Sequence, residues 1–231
     1  MPELPDIGVY LHCLEPRVVG QPLQRVRLVN PFLLRTVEPA IKEAQGRKVI
    51  DLRRLGKRIV FELETDLFLV IHLMIAGRLH WKKQGAKPPG KVGQAAFDFP
   101  TGTLVLTEAG SKRRASLHLL RGLAQLQKHN PGGLEVLEAT LVQFHGALVR
   151  ESHTLKRTLT DPRLFSGIGN AYSDEILHRA RLSPLTLTRR MPDDEIARLY
   201  EATRETLLAW IERLRNEVGD SFPEKVTAFR P

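Results

Sequence analysis

The chain has 231 residues, of which 42% are hydrophobic and 26% charged, and this composition argues against a disordered chain. Its formal net charge of +9 favours a polyanionic partner, nucleic acid ahead of a membrane surface, with a basic protein that has no such partner as the alternative. The single cysteine, Cys13, excludes a disulfide framework and a multi-cysteine metal site. No signal sequence is visible, and the longest apolar stretch, residues 67–74, is too short to span a bilayer. We therefore expect an intracellular, cytoplasmic protein.

The first half of the chain predicts one helix followed by many strands. Apolar residues recur at helical intervals over residues 5–19. From there to about residue 120, short apolar runs separated by turn-forming residues are typical of antiparallel strands. The clearest runs are residues 26–29, 49–52, 59–63, 68–72, 95–99 and 104–106. Residues 82–93 are rich in Lys, Gly and Pro, and predict an exposed loop.

A break at residues 129–133, His-Asn-Pro-Gly-Gly, separates this half from a helical one. Helical patterns follow at residues 141–149, 171–181 and 192–218, the last with an acidic start that suits the helix dipole. We predict an α+β protein with a β-rich domain over residues 1–130 and a helical domain over residues 131–231. Residues 222–231 show neither a closing helix nor a stop signal, and predict that the chain leads into a further segment.

The N-terminus carries the first candidate chemistry. The chain begins Met-Pro-Glu-Leu-Pro-Asp, and methionine before a small residue is normally removed, which would expose the secondary amine of Pro2. An α-amino group has an ordinary pKa of about 8, so roughly a tenth of it is neutral and nucleophilic at pH 7. Addition to a sugar C1′ would give an iminium ion that acts as an electron sink. Glu3 could serve as general acid or base. On these residues alone, prolines that stiffen a terminus are the more common explanation.

Two further segments change that balance. Residues 53–59 read Arg-Arg-Leu-Gly-Lys-Arg-Ile, a basic patch entering a strand, and residues 161–175 read Asp-Pro-Arg-Leu-Phe-Ser-Gly-Ile-Gly-Asn-Ala-Tyr-Ser-Asp-Glu. Together with the N-terminal string, they resemble the formamidopyrimidine-DNA glycosylase / endonuclease VIII family along the whole chain. The resemblance implies an N-terminal β-sandwich with a catalytic proline, a helix–two-turn–helix domain, and DNA in the cleft between them.

The resemblance also implies roles for individual residues. Pro2 matches the family's Schiff-base nucleophile, and Glu3 matches its catalytic glutamate. Lys57 matches the lysine that contacts phosphate beside the damaged nucleotide, a role suited to a compact ammonium group. Lys156 lies where the family has another DNA-contacting lysine, and a plain surface lysine is an equal alternative.

Asn170 matches the asparagine of the two-turn segment. Two nearby glycines permit close approach of the backbone, and we expect the helix start at Ala171 to offer free N–H groups to a phosphate. The alternative is a glycine-rich turn in which Asn170 caps the helix, and both descriptions can hold together.

Residues 72–77, His-Leu-Met-Ile-Ala-Gly, resemble the family segment that carries an intercalating methionine. Met74 is thus expected to fill the gap that a flipped nucleotide leaves in the base stack. Burial in the core is the alternative, and the usual fate of a methionine in an apolar run.

Three features depart from the family pattern. Position 6 is Asp where Glu is usual, which we expect only to tune the site. The loop at residues 107–117 lacks the family's Asp-Pro-Arg-Arg-Phe-Gly sequence; Arg113 or Arg114 could still read the orphaned base, or form a generic phosphate patch. The family usually ends in a four-cysteine zinc finger, which this chain cannot form, so zinc is expected only where such a finger has been removed.

The sequence therefore predicts a base-excision repair enzyme, a DNA glycosylase with AP-lyase activity that acts as a monomer on damaged double-stranded DNA. The alternative is a non-catalytic relative that binds damaged or structured DNA, because a helix–two-turn–helix domain alone proves no enzyme. The pair Pro2 and Glu3 favours the enzyme. Whether an oxidised purine or an oxidised pyrimidine is removed stays open at this point.

Overall fold

The computed structural model describes residues 1–223. Its regular elements are six α-helices and eight β-strands within that range. The helices are α1 (Leu4–Val18), α2 (Leu123–Gln127), α3 (Leu141–Val149), α4 (Leu155–Thr160), α5 (Asn170–Ala180) and α6 (Asp193–Val218). The strands are β1 (Arg25–Leu28), β2 (Val49–Leu55), β3 (Arg58–Leu63), β4 (Leu67–His72), β5 (Gly77–Lys82), β6 (Gly93–Phe99), β7 (Gly102–Glu108) and β8 (Ser116–Arg121).

The strands form two four-stranded antiparallel sheets, in the orders β1-β6-β7-β5 and β2-β3-β4-β8. One core lies between them, in which apolar residues of the first sheet such as Phe97 and Leu106 belong to the same buried cluster as Phe61 and Ile71 of the second. Helix α1 contributes the buried Tyr10 to this core. The side chains that face this core fix the register of the sandwich, because a slip of one residue would turn them to the other face of the sheet.

The helical domain has its own core, built from α3 to α6 and containing the buried rings of Phe144, Phe165 and Tyr172. Helix α6 joins the two domains, because Leu207 lies in the helical core whereas Leu214 lies in the core of the sandwich. The first residues of α1 also reach the helical domain: the backbone N–H of Leu4 donates to the carbonyl of Gly167 at 2.9 Å. The N-terminus therefore lies at the junction of the two domains.

The predicted fold class is confirmed: an N-terminal helix, a β-sandwich and then a helical domain. Strand β5 was missed because His80 and Lys82 interrupt its apolar residues, and β8 was included in the β-rich region without being separated from it. The prediction for residues 222–231 falls almost wholly outside the described residues. Among residues 1–223, no helix is long and apolar enough to cross a membrane.

Candidate active site

Glu3 occupies the junction of the two domains and caps helix α5. Its side chain is buried, and its carboxylate accepts hydrogen bonds from the backbone N–H groups of Gly169 (2.6 Å), Ala171 (3.0 Å) and Tyr172 (3.3 Å). A carboxylate at a helix N-terminus satisfies unpaired donors and complements the helix dipole. The residue next to the proposed nucleophile is therefore held rigidly by the glycine-rich turn of the second domain.

This arrangement corrects two expectations about that turn. The N–H group of Ala171 is not free for a phosphate, because Glu3 accepts its hydrogen bond. The N-cap of α5 is Gly169 and not Asn170, which is the first helical residue and is exposed. Local sequence could not reveal the true partner, because Glu3 lies more than 160 residues away along the chain.

Lys57 lies in the tight turn between β2 and β3, beside Glu3. Gly56, in the same turn, adopts a left-handed φ of 61°, which glycine tolerates at no steric cost. A Cβ atom placed on Gly169 would lie 2.5 Å from Cδ of Glu3 and 2.7 Å from Nζ of Lys57, so the two side chains converge on this glycine. Burial lowers the pKa of the Lys57 ammonium, and the nearby Glu3 carboxylate opposes that shift.

Arg54 ties the Lys57 turn to the glycine-rich turn. Its guanidinium donates to the carbonyl of Gly56 at 2.9 Å and to Oγ of Ser166 at 3.2 Å, and it forms an ion pair with Glu135. The Ser166 hydroxyl in turn donates to Glu135 at 2.5 Å. Because a planar guanidinium holds several acceptors in fixed geometry, Arg54 keeps the two domains in register at the site.

A cavity of about 270 Å³ opens beside these residues. Its lining comes from both domains and includes Met1, Lys57, His72, Met74 and Gly167. Burial and the charge of Arg78 lower the pKa of the Met1 amine. An amine with a lowered pKa is neutral, and hence nucleophilic, at a lower pH. The same surroundings would act on the amine of Pro2 after removal of Met1.

His72 was not singled out from the sequence, although it precedes the Met74 turn directly. Burial and the charges of Arg58 and Lys57 lower its pKa to about 4, so its imidazole is neutral at pH 7. A neutral imidazole keeps one N–H donor for a ligand in the cavity.

Met74 lies in the turn between β4 and β5 with a positive φ of 52°. It is partly exposed at the cavity and is not one of the buried core residues. The same turn exposes Ile75, with 61% of its surface accessible, which sequence reasoning passed over. The sequence carried no signal for Ile75, because its exposure is visible only in the structure.

Lys156 and Asn170 are neighbours across α4 and α5. The ammonium of Lys156 donates to the Asn170 carbonyl at 2.6 Å and pairs with Asp174 at 2.5 Å. Part of its charge is thus already neutralised by Asp174.

Arg113 and Arg114 lie on the exposed loop between β7 and β8, and neither lines the cavity. Arg113 donates to the carbonyl of Lys91 at 2.5 Å, and Glu108 accepts from the backbone N–H of Arg114 at 2.8 Å. The structure therefore brings Glu3, Lys57 and Met74 together around the N-terminus, and places the two arginines on a separate loop.

Asp6 also belongs to the catalytic segment. Its carboxylate accepts from the backbone N–H of Glu3 at 2.8 Å, and burial raises its pKa to about 6. The aspartate thus helps to fix the backbone of Glu3 at the start of α1.

Comparison with known proteins identifies the family of the chain. Residues 1–115 match the Formamidopyrimidine-DNA glycosylase N-terminal domain family, and residues 134–220 match the Formamidopyrimidine-DNA glycosylase H2TH domain family. The chain belongs to the formamidopyrimidine-DNA glycosylase family. A relative named formamidopyrimidine-DNA glycosylase from Heliobacterium modesticaldum is 32% identical over 214 residues, covering 90% of this chain and 77% of the relative. One from Solibacter usitatus is 31% identical over 224 residues, covering 95% and 81%.

Solved structures of the family share the fold. The MutM (Fpg) protein of Thermus thermophilus superposes with a TM-score of 0.78 at 32% identity, covering 91% of this chain and 76% of that one. Lactococcus lactis formamidopyrimidine-DNA glycosylase, bound non-covalently to DNA that contains an AP site, superposes with a TM-score of 0.82 at 26% identity. That match covers 93% of this chain and 85% of the other.

The zinc finger of this family has no counterpart in the residues that the structure describes. Cys13 is buried in the sandwich core, and no group of three potential metal ligands is found in residues 1–223. These residues do not fit a zinc ion, and no step of the chemistry is assigned to one.

Contact of Lys57 and Asn170 with DNA phosphates remains a prediction, which two variants test. The Lys57→Ala variant should weaken DNA binding and reduce the slope of log K against log salt by about 0.9, because one fewer counterion is released. The Asn170→Ala variant should weaken binding without changing the slope, since a neutral amide releases no counterion. Lys48→Ala is the matched control, because this exposed lysine lies beside the β3–β4 turn, at the opposite end of the sheet. An unchanged slope for Lys57→Ala would show that its ammonium does not contact phosphate.

Proposed function

We propose that this DNA glycosylase of base-excision repair uses the amine of Pro2 as its nucleophile and also cleaves the abasic strand as a lyase. The observation that carries the proposal is the position of Glu3. It is buried, fixed by three backbone N–H groups and adjacent to a residue whose amine would face a cavity lined by Lys57 and His72. Family membership and the resemblance to DNA complexes of the Lactococcus lactis enzyme support DNA as the substrate.

The chemistry begins with attack of the neutral Pro2 nitrogen on C1′ of the damaged nucleotide. The bond from N to C1′ forms, the glycosidic bond breaks, and the base leaves with the electron pair and takes up a proton. The nitrogen loses its own proton, and opening of the sugar ring at O4′ gives an iminium cation. Glu3 is placed beside the amine to carry a proton to or from O4′, which is general acid–base catalysis.

The iminium then makes strand cleavage possible. It acidifies the C2′ proton, and loss of that proton expels the 3′ phosphate as leaving group by β-elimination. Lys57 and the neutral His72, which line the cavity, would hold phosphate oxygens while this occurs. Arg54 keeps the Lys57 turn and the glycine-rich turn aligned.

Asn170 and Lys156 would extend the phosphate contacts on the helical domain, and Arg113 and Arg114 would contact DNA from the sandwich. We expect the protein to act as a monomer inside the cell on damaged double-stranded DNA.

A panel of duplexes separates the proposed activities. Oxidised purine, oxidised pyrimidine and ready-made abasic duplexes would be incubated with the protein, and base release and strand nicking would be measured separately. The proposal predicts base release from one lesion class and nicking of the abasic duplex. Nicking of the abasic duplex without base release from either lesion duplex would show that the protein has only the lyase activity. Tight binding without either product would favour the non-catalytic DNA-binding relative.

Met74 is proposed as the residue that fills the gap left by the flipped nucleotide. Flipping a paired nucleotide costs a few kcal/mol, so Met74→Ala should slow excision from a paired duplex and matter little on a single strand. Excision rates on the paired duplex and on the single strand, together with the melting temperature of the variant, test this prediction. Ile75→Ala is the matched comparison, and a larger duplex-specific loss for that variant would move the role to Ile75. A core methionine would instead cost about 2–5 kcal/mol of stability and impair every substrate alike.

A further inference from the structure

Phe32 is an exposed aromatic residue that the structure holds in a defined turn. Its side chain is 77% exposed, and it lies in the short 3-10 turn Pro31–Leu33. The backbone N–H of Phe32 donates to Oδ1 of Asn30 at 3.1 Å, and Nδ2 of Asn30 donates to Oε1 of the buried Gln94 at 2.8 Å. Leu33, the next residue, is buried in the sandwich core. The phenyl ring is therefore presented to solvent by a turn that is anchored on both sides.

The turn lies at the same end of the sandwich as Lys57. Arg58 pairs with His72, and His72 pairs with Ser116 at the start of β8. Residues 34–36 run alongside β8 on the side away from β4, and the N–H of Arg35 donates to the carbonyl of Leu117 at 2.8 Å. The strands β3, β4 and β8 and this segment therefore follow one another across the sheet. With neighbouring strands about 4.8 Å apart, three spacings place this segment roughly 14 Å from the strand that follows Lys57.

The segments that meet at this end carry only positive charge. The stretches are residues 29–36, 56–58, 74–76 and 109–116, whose charged residues are all Lys or Arg. Arg35, Arg113 and Arg114 are exposed. Of the carboxylates that flank these stretches, Glu108 accepts from the backbone N–H groups of Arg114 and Ala115, and Glu38 is exposed two residues beyond the first stretch. A polyanion in the cleft thus finds exposed arginines close to Phe32 in sequence, at Arg35, and on the β7–β8 loop.

We propose that Phe32 stacks on the base directly opposite the damaged nucleotide. The grooves of B-form DNA are about 6 to 12 Å wide, so a duplex whose damaged strand lies at Lys57 brings its other strand close to the segment that follows Phe32, roughly 14 Å away. Arg35 and the arginines of the β7–β8 loop would hold that strand's phosphates while the ring contacts the base, a combination typical of nucleic-acid surfaces. This inference requires only that the protein binds DNA, and does not depend on the chemistry of Pro2.

Binding to uncleavable DNA tests the inference. The probe is a duplex with a tetrahydrofuran abasic analogue in one strand, and dissociation constants are compared for wild type, Phe32→Ala and Phe32→Trp. Aromatic stacking on one base predicts a roughly five- to hundred-fold loss of affinity for Phe32→Ala and retention for Phe32→Trp. Leu185→Ala is the control, because Leu185 is equally exposed, at 76%, on the helical domain.

Two further probes identify the contact. On the same oligonucleotide as a single strand, or in a duplex that is abasic at the opposite position as well, Phe32→Ala and wild type should bind within about two-fold of each other, because the stacked base is absent. Equal affinity of Phe32→Ala and wild type on the ordinary duplex would overturn the proposal and favour a protein partner for this aromatic. An equal loss on all three probes would also overturn it, since Phe32 would then contact the damaged strand.

Discussion

Replacing Glu3 with glutamine is expected to slow removal of a damaged base by about 10²- to 10⁴-fold, the usual contribution of a general acid–base group. The amide keeps the size of the side chain and one acceptor oxygen, but it cannot shuttle a proton. Borohydride trapping on a ready-made abasic duplex should fall much less, because no base has to leave and the abasic sugar reaches its ring-opened aldehyde in solution without proton transfer to O4′ by Glu3. Single-turnover rates on the two substrates measure the difference.

The structural role of Glu3 needs its own control. An NH₂ group facing the N–H groups of Gly169, Ala171 and Tyr172 would leave buried donors unpaired, at a cost of about 1–3 kcal/mol for each. The control is Glu135→Gln, which changes another carboxylate at the domain junction that does not line the cavity. It should slow the reaction of both substrates to the same extent, and by less than Glu3→Gln slows base removal. Should Glu3→Gln also slow both substrates equally, Glu3 positions the amine and carries no proton.

The Gly169→Ala variant should lose roughly 10²-fold in both base excision and strand cleavage. The added Cβ would stand 2.5 Å from Cδ of Glu3 and 2.7 Å from Nζ of Lys57, so both groups would have to move. A displacement of about 1 Å at a reacting centre can cost 10²-fold in rate, while overpacking costs about 1–3 kcal/mol of stability. Rates on a lesion duplex and an abasic duplex, with thermal unfolding, report both effects.

Gly146→Ala is the matched control for this substitution. Gly146 lies in α3, and a Cβ there would meet nothing within 4 Å. Alanine in a helix interior should be neutral or stabilise the protein by about 0.5–1 kcal/mol. Wild-type rates in Gly169→Ala would show that the convergence of Glu3 and Lys57 on this glycine is unimportant for catalysis.

The sequence was sufficient where function depends on local pattern. Short apolar runs predicted antiparallel strands, the resemblance to the family implied that they form a sandwich, and the long amphipathic period predicted α6. Pro2, Glu3 and Lys57 could be singled out because their short motifs resemble those of the family, whereas the residue types alone favoured a stiffened terminus at Pro2. The structure adds that Glu3 and Lys57 lie against the same glycine.

Contacts between distant segments could not be predicted. The capping of α5 by Glu3 and the ion pair of Arg54 with Glu135 join residues more than 80 positions apart, and neither end shows a local signal. From the local sequence alone, a helix that begins Gly-Asn-Ala is expected to have backbone N–H groups available to bind a phosphate. Here a carboxylate from the other domain accepts from the N–H groups of Gly169, Ala171 and Tyr172, so these groups support the catalytic segment, and the exposed Asn170 is left as the predicted phosphate contact of the turn.

The central claim, that the amine of Pro2 forms the covalent intermediate, is tested most directly by locating the trapped adduct. The protein would be incubated with an abasic duplex and borohydride, digested, and the peptide that carries the sugar remnant identified by mass spectrometry. We predict a protein that lacks Met1 and a single adduct on the nitrogen of Pro2. An adduct on Lys57 or any other internal lysine, or trapping by protein that retains Met1, would contradict the account.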